Sequence, residues 1–183
     1  MKKIYLLCLL LFFSACGFGA NTSSPGDTVK AFLTYVQSGE YTEAQELVAY
    51  GSLLALYDIE EEYRGIFNML SFGDISSVEI NGTNSHVRLT VNAFDFASLM
   101  EDVMAEAFNW IFMDISTAEL TSKIEALLKE KINMDYPPIL SKEVTVNLEY
   151  LEGRWKIVMD KAFADAVTGG MISFAEYAGQ WLS

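Results

Sequence analysis

The residues that most often carry chemistry in proteins are scarce in this sequence. The chain of 183 residues has two cysteines, Cys8 and Cys16, and a single histidine, His86. Zinc sites need cysteines and histidines at short, defined spacings, and a cysteine nucleophile needs a histidine partner. Neither arrangement occurs, and a glycine-rich phosphate loop and a nucleophile elbow are also absent from the sequence. The residue types alone therefore indicate no reaction.

A run of three acidic residues is the next candidate for chemistry. Glu60, Glu61 and Glu62 fall in residues 58–70, which have the apolar spacing of a helix. Three consecutive helical positions spread over most of the circumference, so these carboxylates cannot converge on one metal ion. We interpret them as a solvated helix face and expect no metal site.

Cys16 ends a segment typical of exported proteins. The chain opens MKKIYLLCLLLFFSAC, with two lysines, an apolar run too short for a membrane anchor, and small residues before the cysteine. Ser14-Ala15-Cys16 resembles the lipobox of bacterial lipoproteins, in which the cysteine is diacylated and begins the mature chain. Members of that family usually have Leu, Val or Ile where this chain has Phe13, and an ordinary signal peptide is the alternative. We expect a leader over residues 1–15 and lipid on Cys16.

Residues 17–24, GFGANTSS, are small and polar and predict a tether after Cys16. Eight residues reach at most about 28 Å, so the folded body would lie close to the membrane. Loss of the leader removes Lys2 and Lys3, which takes the net charge from −13 to about −15 and leaves no thiol except Cys16. So acidic a body is repelled by nucleic acid and by anionic headgroups. Attachment to the extracytoplasmic face of the membrane would therefore come from lipid.

Two segments alternate apolar and polar residues with the two-residue period of half-buried strands. In residues 142–163, the apolar side has Val144, Val146, Leu148 and Tyr150, then, after Glu152-Gly153, Trp155, Ile157 and Met159. In residues 84–94, Val87, Leu89, Val91 and Ala93 face one way, whereas His86, Arg88, Thr90 and Asn92 face the other. Residues 75–80 and the turn Asn81-Gly82 would complete this second hairpin. The pattern predicts a sheet with one dry face, which helices must cover.

Helical spacing accounts for much of the remaining chain. The predicted helices run from Pro25 to Gly39, from a Thr42–Gln45 capping box, over residues 58–70, twice between Asp95 and Ile132, and after Thr168-Gly169-Gly170. The first helix after Asp95 has an unbroken apolar stripe: Phe96, Leu99, Met100, Val103, Met104, Ala107, Phe108, Ile111 and Phe112. We expect this stripe to be core. The alternative is that Met100, Met104 and Met113 line a cleft.

The SPGDTVKAFLTYVQSGEYTEAQEL opening and the GRWKI strand, with this order of elements, resemble the NTF2-like (cystatin-like, SnoaL-like) lipoproteins of Gram-positive bacteria. Many members of that group are domains of unknown function. The resemblance covers most of the chain after Ser24. It implies an α+β fold over residues 25–183, in which a curved antiparallel sheet forms a cone on the N-terminal helices, with a helical insertion and a C-terminal helix. Fold analogy does not transfer chemistry.

Acid–base enzymes of that superfamily place an Asp and a His or Tyr inside the cone. The candidates here are His86, Asp95, Asp160, Tyr35, Tyr41 and Tyr63. Alternation puts His86 and Asp160 on the polar side of their strands, and Asp95 has an ordinary helix-capping explanation. We therefore expect a lipid-anchored module that binds a protein partner or a small apolar ligand, without catalysis or cofactor. A SnoaL-like isomerase or dehydratase is the alternative.

Overall fold

The computed structural model describes residues 24–50, 61–113 and 115–181. The leader, Cys16 and residues 17–23 lie outside the described residues, as do Ile59 and Glu60 and the side chains of residues 61–64. No helix in the described part is both long and apolar enough to cross a membrane. The described part is α+β, as the sequence predicts.

Helices precede, interrupt and follow the strands. In chain order the elements are α1 (Pro25–Ser38), α2 (Tyr41–Glu46), β1 (Val48–Tyr50), a 3₁₀ helix (Glu61–Met69), β2 (Ser71–Phe72), β3 (Ser77–Asn81), β4 (Asn84–Phe94), α3 (Phe96–Ile111), α4 (Thr117–Ile132), β5 (Ile139–Leu151), β6 (Arg154–Val158), α5 (Lys161–Val167) and α6 (Met171–Trp181).

The strands form one sheet in the order β1-β6-β5-β4-β2, and β3 also pairs with β4. β4 and β5 are antiparallel along the whole of β4, from Asn84 opposite Glu149 to Phe94 opposite Ile139. β5 and β6 form the predicted hairpin, whose turn residues Glu152 and Gly153 both have positive φ, 53° and 82°. Two such residues in a two-residue turn match the right-handed twist of the strands. The predicted hairpin is therefore confirmed as far as Val158, whereas residues 161–163, which the prediction included, begin α5.

The second predicted hairpin is also present, with a small shift. Asn81 pairs with Asn84, so Gly82 and Thr83 form the turn, and it lies one residue later than predicted. Gly82 has a φ of 61°. Because glycine adopts positive φ without steric cost, its position decides where the chain reverses.

α1 covers the dry face of the sheet. Its inward side chains, Val29, Phe32, Leu33 and Val36, are fully buried in one cluster with Val87, Leu89, Val91, Val146 and Ile157. Ser24 caps the helix by accepting a hydrogen bond from the Asp27 backbone N–H at 3.2 Å, and Gly39 ends it in the left-handed conformation. The predicted first helix and its buried face are confirmed.

Trp155 is buried as predicted, but its neighbour on the same side of the hairpin is not. Tyr150 is 45% exposed because it lies at the strand end, next to the turn. Its ring packs edge-on against Trp155, with 5.2 Å between ring centroids, and its hydroxyl donates to the Gly153 carbonyl at 2.9 Å. Tyr150 therefore lies on the predicted side, opposite Trp155, but at the exposed margin of that face.

One prediction about a short helix is wrong, and another short helix was not predicted. The Thr42–Gln45 capping box does not form, since α2 begins at Tyr41 and its N-cap, Glu40, makes no side-chain capping bond. Tyr41 is buried edge-on against Phe67, so core packing fixes where α2 starts. The sequence interpretation also missed α5, whose N-cap is Asp160.

Candidate binding surface

His86 and Asp160, the two polar-side candidates for acid–base chemistry, belong to one chain of hydrogen bonds. His86 Nδ1 lies 2.7 Å from Asn147 Oδ1, and Asn147 Nδ2 donates to Asp160 Oδ2 at 2.8 Å. His86 is exposed, as its alternation predicts. The histidine and the carboxylate are therefore separated by an amide, which neither gains nor loses a proton near neutral pH.

Asp160 has a structural role in this chain. Its second oxygen, Oδ1, accepts a hydrogen bond from the Phe163 backbone N–H at 2.9 Å, so the carboxylate caps α5 while Asn147 holds it to the sheet. The pocket beside His86 has a volume of about 150 Å³ and is lined by Ser77, Glu79, Arg88 and Thr145. Ligand pockets usually measure about 300 to 1,000 Å³, so this one is small.

The other acid–base candidates also have structural positions. Asp95 Oδ1 accepts a hydrogen bond from the Ser98 backbone N–H at 3.0 Å and caps α3. Tyr41 is in the core, Tyr35 is half-buried on α1, and the Tyr63 side chain lies outside the described residues. The structure therefore does not bring Asp95 or these two tyrosines to His86.

α3 and α4 form a helical hairpin that is fixed at one end. At this base, the Phe96 and Ala97 backbone N–H groups donate to the Gly169 carbonyl at 2.9 and 3.2 Å, and the Phe96 ring packs edge-on against Phe174 of α6. Lys131 and Asp102 form an ion pair at 3.0 Å between the two helices. The main packing partners of α3 are α4 and α6, not the strands.

The other end of this hairpin exposes large apolar side chains. Leu99 and Val103 are buried near the base, but Phe108 is 61% and Phe112 74% exposed, and their rings pack edge-on at 5.0 Å. The hairpin tip, as we define it, consists of five exposed side chains: Met104, Phe108, Ile111, Phe112 and Met113. The prediction that this stripe is core is therefore wrong for its outer half, because no described element covers that half.

An aromatic–cation pair connects the end of α3 to α4. Trp110 is half-buried, and Lys123 Nζ lies 5.5 Å from its ring centroid. Ser116 caps α4 by accepting a hydrogen bond from the Glu119 backbone N–H at 3.2 Å, so the predicted cap at this position is confirmed. The cap and the cation contact fix the start of α4 beside the end of α3.

Comparisons with known proteins found similarity to solved structures but not to a family. No protein-family model matches the chain, and no curated protein matches it significantly. A solved structure, that of a proposed lipoprotein (ycdA) from Bacillus subtilis, is similar at 19% sequence identity and a TM-score of 0.41. The likeness covers 75% of this chain and 42% of that one, so the chain spans less than half of the length of that protein.

A cavity at the base of the hairpin does not resemble an apolar ligand site. It measures about 220 Å³, and its lining includes the charged pair Asp102 and Lys131. This volume is also below the usual range for ligand pockets, although Leu99, Met134 and Pro138 contribute an apolar part of the lining. Met104 and Met113, which were candidates to line a cleft, are instead exposed at the hairpin tip, and Met100 is half-buried.

Asp165 is a buried residue that sequence reasoning missed, and it positions the hairpin indirectly. It is 3% exposed and accepts hydrogen bonds from the Ser173 backbone N–H at 2.8 Å, the Ser173 hydroxyl at 2.9 Å and Lys142 Nζ at 3.3 Å. Burial opposes its ionisation, but these donors outweigh burial and hold the pKa of Asp165 below its ordinary value. Asp165 thus joins α5 to α6 and β5, and α6 in turn supports α3.

Proposed function

We propose that this protein is a lipid-anchored module on the extracytoplasmic face of the cell membrane, which binds through its hairpin tip and carries out no chemistry. The observation that carries the proposal is the exposure of Phe108, Ile111 and Phe112 at the free end of a well-anchored helical hairpin. Adjacent exposed side chains of this size usually mark an interaction site. The hydrogen bonds and the ring contact at the hairpin base hold the two helices in place, so these side chains stay exposed.

The anchor in this proposal is lipid on Cys16. Its support is the leader-like start of the chain, the small residues before the cysteine and the polar residues 17–24 after it. Two acyl chains hold a protein durably at a membrane, whereas a single chain gives marginal binding. A mature chain with a net charge of about −15 has no electrostatic attraction that could replace them.

Among the residues that the structure describes, binding through a surface is favoured over binding of a small apolar ligand in a pocket. The pocket beside His86 and the cavity at the hairpin base measure about 150 and 220 Å³, and both are smaller than usual ligand pockets. On the other side of the sheet, the space between α1 and the strands is filled by side chains such as Phe32 and Phe163, whose ring centroids are 5.5 Å apart.

We further propose that the body has an NTF2-like fold. In favour of this are α1 on the dry face of a largely antiparallel sheet, and the final hairpin with Trp155 buried. On this proposal the insertion of α3 and α4 is an appendage of the body and does not cap a cone. The enzyme alternative has less support, because His86 contacts Asn147 and not a carboxylate.

A photoreactive residue at position 112, introduced in intact cells, tests the binding role of the tip. Tyr136 is the matched control, since it is an aromatic residue, 88% exposed, at the base of the same hairpin. We expect position 112 to form covalent adducts with envelope components and position 136 to form few. Equal labelling at both positions would contradict the proposal.

A further inference from the structure

The hairpin tip also has the chemistry of a surface that contacts lipid. We infer that it inserts into the interfacial region of the bilayer that holds the acyl chains of Cys16. This inference rests on the proposed function, because it needs the lipid anchor, and it names what the tip contacts.

The composition around the tip favours lipid over a protein partner. Residues 107–118, AFNWIFMDISTA, contain one acidic residue, Asp114, and no lysine or arginine, and Glu106 and Glu119 flank this stretch. Specific protein interfaces surround an apolar centre with a polar rim that supplies hydrogen bonds, and this stretch offers few charged groups for one. Binding at a membrane interface increases with the apolar area that is buried there, which the exposed side chains of the tip can supply.

Trp110 and Lys123 fit the boundary between water and lipid. Tryptophan is enriched at the headgroup level because its ring is apolar and its indole N–H is polar. A lysine can lay its apolar stem along the same surface and extend its amine toward lipid phosphates. Lys123 Nζ is already 5.5 Å from the Trp110 ring, so the two groups occupy one level of the hairpin.

The dimensions of the hairpin also fit. α3 and α4 have 16 residues each, which makes them about 24 Å long. The electric field of anionic headgroups decays over about 8 Å at physiological salt. Glu106 and Glu119 lie at the tip or beside it, within this distance, but most of the acidic body can stay beyond it while the tip touches lipid.

The lipid anchor and its short tether keep the body at the bilayer. Residues 17–24 reach at most about 28 Å, so the folded body cannot move farther than that from the surface that holds Cys16. Because the acyl chains already hold the protein there, weak affinity of the tip for lipid is sufficient.

Site-specific fluorescence on lipidated protein tests the inference. An environment-sensitive fluorophore is attached to the cysteine of the Met113→Cys variant. The same fluorophore on the Glu152→Cys variant, in the exposed β5–β6 turn, is the matched control. The purified lipidated proteins are placed in phosphatidylcholine vesicles with or without nitroxide-labelled lipids. We expect the probe at position 113 to shift to shorter wavelength and lose about half of its intensity to the nitroxide, as a site 5–10 Å deep would. The probe at position 152 should not respond.

Phe112→Asp in the Met113→Cys protein should restore the emission seen in water. Phe112 is exposed, so an unchanged thermal unfolding temperature would show that the fold is intact. The intact mass of the same samples shows whether the anchor or the insertion of the tip has failed.

If the protein is diacylated but the probe at position 113 is not quenched, the inference of lipid insertion is overturned and the anchor is not. A covalent adduct between position 112 and a protein would then identify a protein partner. A mature chain without acyl groups overturns both proposals.

Discussion

Gly169→Ala should destabilise the protein more than an ordinary substitution of a glycine with positive φ. Gly169 has a φ of 61°, and a Cβ at this position would lie 1.7 Å from the Phe94 carbonyl oxygen and 2.9 Å from its carbonyl carbon. Both atoms are backbone, so rotation of a side chain cannot relieve the contact. The α5–α6 junction and the end of β4 would have to move apart, and with them the base of the hairpin.

The magnitude follows from two effects. Left-handed backbone costs an L-residue about 1 to 2 kcal/mol, and overpacking of a filled site costs about 1 to 3 kcal/mol. Gly169→Ala should therefore lower the free energy of unfolding by about 2 to 5 kcal/mol. Equilibrium urea denaturation followed by tryptophan fluorescence measures this change.

Gly39→Ala is the matched control. Gly39 has a φ of 76°, and its added Cβ would meet no atom within 4 Å. It should therefore show only the cost of left-handed backbone, about 1 to 2 kcal/mol. Equal losses of stability in the two variants would refute the close approach of Gly169 to Phe94, and with it our account of how the hairpin base is held.

Three further substitutions test other parts of the account. Trp155→Ala removes a buried indole from the sheet core and should cost about 3 to 5 kcal/mol in urea denaturation, and a barely changed midpoint would contradict its role. His86→Ala should change the free energy of unfolding by no more than about 0.5 kcal/mol, because the side chain is exposed, and a larger loss would mean that its bond to Asn147 matters. Asp165 has a lowered pKa in the folded state, so its ionised form stabilises the fold above the ordinary pKa of an aspartate, and this contribution is lost as pH falls through the folded-state pKa. Acid titration of stability should therefore be shallower for Asp165→Asn than for the wild type, and curves of equal slope would contradict the stabilising network.

The strands and α1 could be predicted because their apolar periods coincide with what is buried. Val87, Leu89 and Val91 alternate on β4, and each is covered by α1 or its neighbours. The same logic correctly placed His86 on the exposed face. For such elements the apolar period in the sequence is enough to predict which side chains are buried.

The hairpin tip could not be predicted in this way. An apolar stripe on a helix says which side avoids water in a packed molecule, but not whether another element reaches it. Leu99 and Phe112 lie on the same stripe, yet Leu99 is buried at the base and Phe112 is 74% exposed. The difference arises from the direction in which α3 leaves the sheet, which depends on contacts distant in sequence, such as that between Phe96 and Gly169.

Asp165 was missed for a related reason. In the short sequence KAFADAV an acid resembles an ordinary exposed helix residue. Its partners Lys142 and Ser173 lie 23 and eight residues away, and only the packing of α5 between β5 and α6 brings them together. The candidate site as a whole thus depends on tertiary contacts more than on local pattern.

The intact mass of the mature protein from cells decides whether lipid on Cys16 anchors it. We expect a chain that begins at Cys16, carries diacylglycerol and requires detergent for extraction. Cys16→Ser should abolish the acylation and leave the precursor uncleaved or cut elsewhere and released from the envelope. An unmodified wild-type chain that is released without detergent would contradict the claim.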